Sequence, residues 1–184
     1  FVSDVAAAGL AVEALANSET SRIGLLLAGR LGPLELTALH AIGSCECIIL
    51  MPQNATDLRR TIAECGKVAK RVGVVVTSVA EAESAAASGC CFLLVKGNEA
   101  GGLVGEETSF VLLQRLAAKT DLPLYAWGGI GLHTTAACLQ AGAQGIVLDW
   151  QMALLDDIAA PLWIRRRLAA ADGGETLAVP IGGG

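Results

Sequence analysis

Val95–Phe110 reads VKGNEAGGLVGEETSF and follows the apolar run CCFLLV. Lys96 closes that run, Glu99 follows it, and Gly97, Gly101, Gly102 and Gly105 crowd the loop. An amine and a carboxylate beside a strand end are polar candidates for a site, though not an obvious acid–base pair. Clustered glycines cost backbone entropy and suggest a chain that turns tightly or passes close to a ligand. A second cluster lies in LPLYAWGGIGLHTTAAC, Leu122–Cys138, where a strand runs into Gly128, Gly129, Ile130 and Gly131 before a helix starting near His133 or Thr134. Glycines at such a junction offer free N–H groups at the positive end of a helix, a seat for phosphate. His133 is placed to donate to the same phosphate. Each of these residues also has a plain reading. Lys96 can be a solvated rim lysine, Glu99 a turn cap, His133 a surface histidine and GGIG a tight turn. Glu106 and Glu107, ahead of an apolar helix, read as complements to its dipole.

Six apolar, β-branched runs read as the strands that position these loops: Ile23–Ala28, Cys47–Met51, Val72–Thr77, Cys91–Lys96, Leu122–Trp127 and Gly145–Asp149. Alanine-rich segments of helical spacing lie between them, among them Asn54–Lys70 and Val79–Ser88; His40, in LTALHAIG, reads as an ordinary helix residue. The rhythm is that of repeated βα units, hence a parallel sheet, either doubly wound or closed into a (β/α)8 barrel. An internal echo favours the barrel. Ser84–Gly97 aligns with Ala136–Trp150, pairing Gly89 with Gly142 at helix ends and Lys96 with Asp149 at strand ends. Six strands are two short of a barrel, which typically takes about 250 residues. The expectation is an incomplete α/β TIM barrel, strands 3 to 8, with two strands upstream. Residues 1–158 are read as the barrel part, and 159–184 as a C-terminal helix and linker, ending in GGETLAVPIGGG.

Composition excludes other classes. The chain has 184 residues, 53% of them hydrophobic but only 4% aromatic, which suits a sheet buried under helices. A net charge of −5, with no basic run beyond Arg165–Arg167, argues against a nucleic-acid surface. No stretch approaches the ~20 uninterrupted apolar residues of a membrane span. The six cysteines, Cys45, Cys47, Cys65, Cys90, Cys91 and Cys138, form no CxxC. They read as inert buried thiols of a reducing cytoplasm, with no metal site.

KGNEAGGLVGEETSFVLLQRL followed by LPLYAWGGIGLHTTAACLQAGAQGIVLDWQMAL resembles the FMN-dependent nitronate monooxygenase family, formerly 2-nitropropane dioxygenase, which includes an enoyl reductase branch. The variant with Lys96, the GEET run and GGIGLHT is similar to versions embedded in polyketide synthases. The resemblance runs from about Ile23 to Leu155. It implies a (β/α)8 barrel binding FMN. Lys96, Gly97 and Glu99–Gly102 (Gly101 included) would approach the flavin ring and substrate, and Gly128, Gly129 and Ile130 would hold the phosphate. It also implies a small-molecule or carrier-protein-bound acyl substrate, such as an enoyl thioester, and neighbouring synthase domains. Two positions depart from the family. The histidine expected after Glu-Ala-Gly-Gly is Leu103, and the Gly-Thr expected after the last strand is Asp149-Trp150, an acid beside the phosphate loop. Lys96, Glu99 and His133 remain the polar candidates for catalysis. Two other readings stand beside a flavin oxidoreductase: a degenerate barrel kept as a structural or docking module, and a flavin-free barrel acting on a sugar phosphate as a lyase or isomerase.

Overall fold

The computed structural model describes residues 24–28, 45–51, 57–171 and 179. Ile23, His40 and most of the expected linker lie outside them. Six strands, β1 (Gly24–Ala28), β2 (Cys45–Met51), β3 (Ala69–Val76), β4 (Phe92–Lys96), β5 (Leu124–Trp127) and β6 (Gly145–Val147), pair in sequential order. Every pairing is parallel. A doubly wound sheet would reverse its order partway across; this one does not, and it is part of a (β/α)8 barrel. Among the described residues the sheet is open, with β1 and β6 each paired on one side only.

Helices α1 (Leu58–Cys65), α2 (Val79–Ala87), α3 (Ser109–Ala117), α4 (Leu132–Gln140) and α5 (Leu162–Ala170) follow, with a 3-10 turn at Trp150–Leu154 before α5. Among the described residues no helix is long and apolar enough to cross a membrane. Strand alternation divides the apolar side chains between two cores. Val74, Val76, Leu93, Val95, Leu124 and Ala126 face the helices and meet Ile62, Leu112 and Leu116. Val75, Phe92, Leu94 and Trp127 point to the barrel interior and meet Ala100. Both faces of β4 are therefore covered, and all five of its residues are buried.

Several boundaries differ from the sequence expectation. The helix expected over Asn54–Lys70 is shorter, because Gly66 ends α1 with its N–H on Ile62 O at 2.9 Å. Lys70 and Arg71 then belong to β3, where Lys70 pairs with Glu46 of β2 and Arg71 lies over the Phe92 ring. These cross-strand contacts override a locally polar, helix-like pattern. β2 starts at Cys45, ahead of the expected Cys47, and β4 starts at Phe92. β5 starts at Leu124, after Pro123, which has no N–H to give the ladder. β6 ends at Val147, so Asp149 lies beyond the strand and caps the 3-10 turn. The internal echo holds at the helix ends. Gly89 and Gly142 follow α2 and α4 with φ of 90° and 103°, the left-handed region that favours glycine.

Candidate active site at the carboxyl ends of the strands

Lys96, Trp127 and Val147 end neighbouring strands in register, Lys96 opposite Trp127 on β4 and β5, and Trp127 opposite Val147 on β5 and β6. The glycine loops after Lys96 and Trp127 therefore emerge at one end of the sheet, as the βα rhythm requires. That is where ligands collect in barrels.

Lys96 is not a solvated rim lysine. It shares the interior face with Phe92 and Leu94 and is only 1% exposed. Its Nζ donates to the Leu103 carbonyl at 2.8 Å and lies 4.8 Å from the centre of the Trp127 ring. Burial pushes its pKa down, and the charge of Asp149 partly opposes that. A cation on an indole face retains charge where water is excluded.

Asp149 does not point its charge into the phosphate loop. Its Oδ2 accepts from Trp127 Nε1 at 2.8 Å and its Oδ1 accepts from the Trp150 N–H at 2.6 Å. Gln151 ties the same turn to the second glycine loop: its Nε2 donates to Ile130 O at 3.0 Å, and its Oε1 accepts from the Asp149 N–H.

The first glycine loop is braced largely by the chain itself. A Cβ on Gly97 would lie 2.0 Å from the Ser109 nitrogen, and one on Gly105 would lie 2.3 Å from the Thr77 carbonyl oxygen. Those two glycines exist for close approach of backbone to backbone. Gly101 and Gly102 differ. A Cβ on Gly101 would meet only Trp150 Nε1, at 3.5 Å, and one on Gly102 would meet only Lys96 Nζ, at 3.7 Å. Both are exposed, so this pair is the part of the loop open to a flat ligand.

Glu99 accepts the Ser109 N–H at 2.9 Å, while Thr108 Oγ1 accepts from Val111 N–H; together they cap α3. The buried Ser109 hydroxyl donates to Gly128 O at 2.9 Å and so joins the two glycine loops. Glu99 thus caps α3 while remaining exposed beside Gly129 of the second loop. Glu107 pairs with Arg115 of α3, and Glu106 accepts through its carbonyl from Asn98 Nδ2. Both residues precede the Thr108 N-cap of α3, ahead of the helix as the sequence reading has them.

In the second loop Gly128 and Gly129 have φ of 116° and 61°. Gly128 packs on Ala100, linking the loops again, and Ile130 is buried beneath. Among the described residues the N–H groups of Gly129 and Ile130 have no hydrogen-bond partner. They lie at the start of α4, whose Gly131 N–H is taken by Thr134 Oγ1 at 2.8 Å. Open N–H groups at a helix start, with an exposed glycine beside them, suit a phosphate; Gly101 and Gly102 suit a planar ring. The residues present are compatible with FMN at both places. His133 is exposed on the first turn of α4.

Sequence reasoning missed Trp127, Ser109 and Gln151. Trp127 carried a signal, since it follows Tyr125 by two at a strand end and so shares the interior face. Ser109 and Gln151 carried none, because their roles depend on which loops the barrel brings together. All six cysteines are free; Cys91 is exposed and Cys47 only half-buried, so the reading of all six as buried thiols fails at both.

The family model for nitronate monooxygenase matches residues 43–179, more than half of the chain. The fold is similar to FabK from Thermotoga maritima, with a TM-score of 0.78 at 19% identity over 91% of this chain and 54% of that one. It is also similar to a nitroalkane oxidase from Streptomyces ansochromogenes, with a TM-score of 0.62 at 25% identity over 73% of this chain and 41% of that one. An N-acetylmannosamine-6-phosphate 2-epimerase from Clostridium perfringens shares the fold more loosely, with a TM-score of 0.53 at 14% identity. The chain thus spans about half the length of the FabK structure. Among curated proteins, no sequence match is found.

Proposed function

The chain belongs to the nitronate monooxygenase family, and from that premise we propose that it is the FMN-binding part of an oxidoreductase that passes hydride to or from an acyl substrate. The observation that carries this is the pairing of two glycine loops at one end of the sheet, Gly101–Gly102 open to a ring and Gly129–Ile130 with free N–H groups for a phosphate. When bound, FMN supplies the hydride chemistry and the protein orients it. Gly129 and Ile130 would hold the phosphate, and Gly101 and Gly102 would allow the ring to lie against backbone. Ser109 keeps the two loops in register, and Gln151 ties the second loop to the turn after β6.

Leu103 bears on the substrate. The residue is 41% exposed, and its side chain carries no proton to give or take. Proton abstraction from a nitroalkane by that position is therefore not part of the proposal; a carbonyl-conjugated substrate such as an enoyl thioester is. The context of a polyketide or fatty-acid synthase, with the acyl group on a carrier protein, rests on the sequence variant around Lys96 and the GEET run. A cytoplasmic location belongs to the same reading.

The test is titration of the full-length protein with FMN, followed by flavin absorbance. Tight binding of FMN over riboflavin supports the proposal, because the phosphate seat is then in use. Absence of flavin binding together with binding of a sugar phosphate would favour the lyase or isomerase reading. Binding of neither would leave the docking module, for which the exposed Leu103 is the supporting observation.

A further inference from the structure

Lys96 presents an imbalance that the proposed function does not use. The ammonium carries three N–H groups and is almost wholly removed from water. Leu103 O takes one of them, and the Trp127 face covers a second side. Among the described residues no carboxylate lies within ion-pair distance; Asp149 spends its oxygens on Trp127 Nε1 and the Trp150 N–H. A buried cation with one neutral acceptor is costly to keep. On another side lies Gly102, where a Cβ would come to 3.7 Å from Nζ and the glycine leaves only thin cover, with the exposed Gly101 beside it in the chain. A small shift of that thin cover opens the ammonium to whatever lies against the two glycines.

We propose that Lys96 is the anion-stabilising group of this site, held for an oxygen that gains negative charge when the ligand over Gly101–Gly102 accepts an electron pair. That oxygen belongs either to the flavin's pyrimidine edge or to the thioester carbonyl of the substrate. The proposal rests on the reading of the site as flavin-binding, and it assigns a fixed positive charge where the family pattern has a proton-transferring histidine nearby. Asp149, which accepts from Trp127 Nε1, holds the indole under the ammonium and supplies the counter-charge at a distance.

Two probes separate the sources, applied to the full-length oxidised flavoprotein. Sulfite forms an S–N bond to flavin N5 using its own lone pair, and the displaced electron pair moves onto the N1–C2 carbonyl edge; no other reactant is needed. Bleaching of the flavin band gives its dissociation constant. A crotonyl thioester of N-acetylcysteamine is titrated separately by the perturbation of the same band. Lys96→Met and Lys96→Gln remove the charge, and Lys96→Arg keeps it. At least tenfold weaker sulfite binding in the neutral variants, restored in Lys96→Arg, supports the proposal with the flavin edge as the source. The same pattern with the thioester alone supports it with the substrate as the source. Retained affinity for both probes in neutral variants that still hold flavin overturns it, while Lys96→Gln serves if Lys96→Met fails to fold. Absence of flavin from the unaltered protein defeats the proposed function itself, and this inference with it.

Discussion

Leu103 turns its carbonyl in toward Lys96 and leaves its side chain exposed at the mouth of the sheet. A residue anchored by its backbone tolerates a change of side chain. Leu103→His is therefore expected to leave FMN affinity unchanged while adding proton-transfer activity toward nitroalkanes, a contribution of ~10²–10⁴-fold for a general base. Loss of flavin in this variant would show that the side chain itself seats the ring. The glycines separate by the same logic. The Cβ of Gly101→Val would meet nothing closer than 3.5 Å in the protein, so the variant should fold and fail to bind FMN. Gly97→Ala drives a Cβ to 2.0 Å from the Ser109 nitrogen and should lower the urea midpoint, with or without cofactor. Unimpaired flavin binding by Gly101→Val would remove that glycine from the site.

At the scale of elements, α3 begins where the two glycine loops meet. Glu99 and Thr108 satisfy two of its first N–H groups, and Ser109 reaches across to Gly128 O. Glu99→Ala should cost about 1 kcal/mol of stability, the usual worth of such a cap, as read from urea unfolding. Unchanged stability with lost activity would return Glu99 to the chemistry. Much of this architecture was legible beforehand. The strand order, the shared end for both loops and the glycines that close α2 and α4 followed from βα rhythm and from glycine at helix ends. The position of β3 did not, because Lys70 and Arg71 find their partners on β2 and β4, at distances along the chain that no local pattern contains. Burial of Lys96 was hidden for a similar reason. Its cover is Trp127 and the Leu103 carbonyl, brought together by the barrel, whereas the sequence shows only a lysine at a strand end.

For the molecule as a whole, the thiols buried against the sheet give stability an alkaline dependence. Burial pushes Cys65 and Cys90 from 9.0 up to about 11, and Cys45, Cys47 and Cys138 also upward. A thiol with a raised folded pKa keeps its proton where the unfolded chain has lost it. Stability should therefore fall as pH climbs from 9.0 toward about 11. Lys96, shifted down by burial, acts in the opposite sense, but as one group against five. Urea midpoints measured across that window check the sign, and a rise would contradict the burial of the thiols. Both glycine loops have their use only with the cofactor bound, and the most direct measurement is FMN titration of the full-length protein beside its Gly129→Val variant. Gly129 has φ of 61°, and a Cβ there would press on Glu99 at 3.1 Å, so the variant should distort the phosphate seat. One FMN bound per chain, preferred over riboflavin and lost in Gly129→Val, is the expected result; a full-length protein that leaves the FMN spectrum unchanged would contradict it.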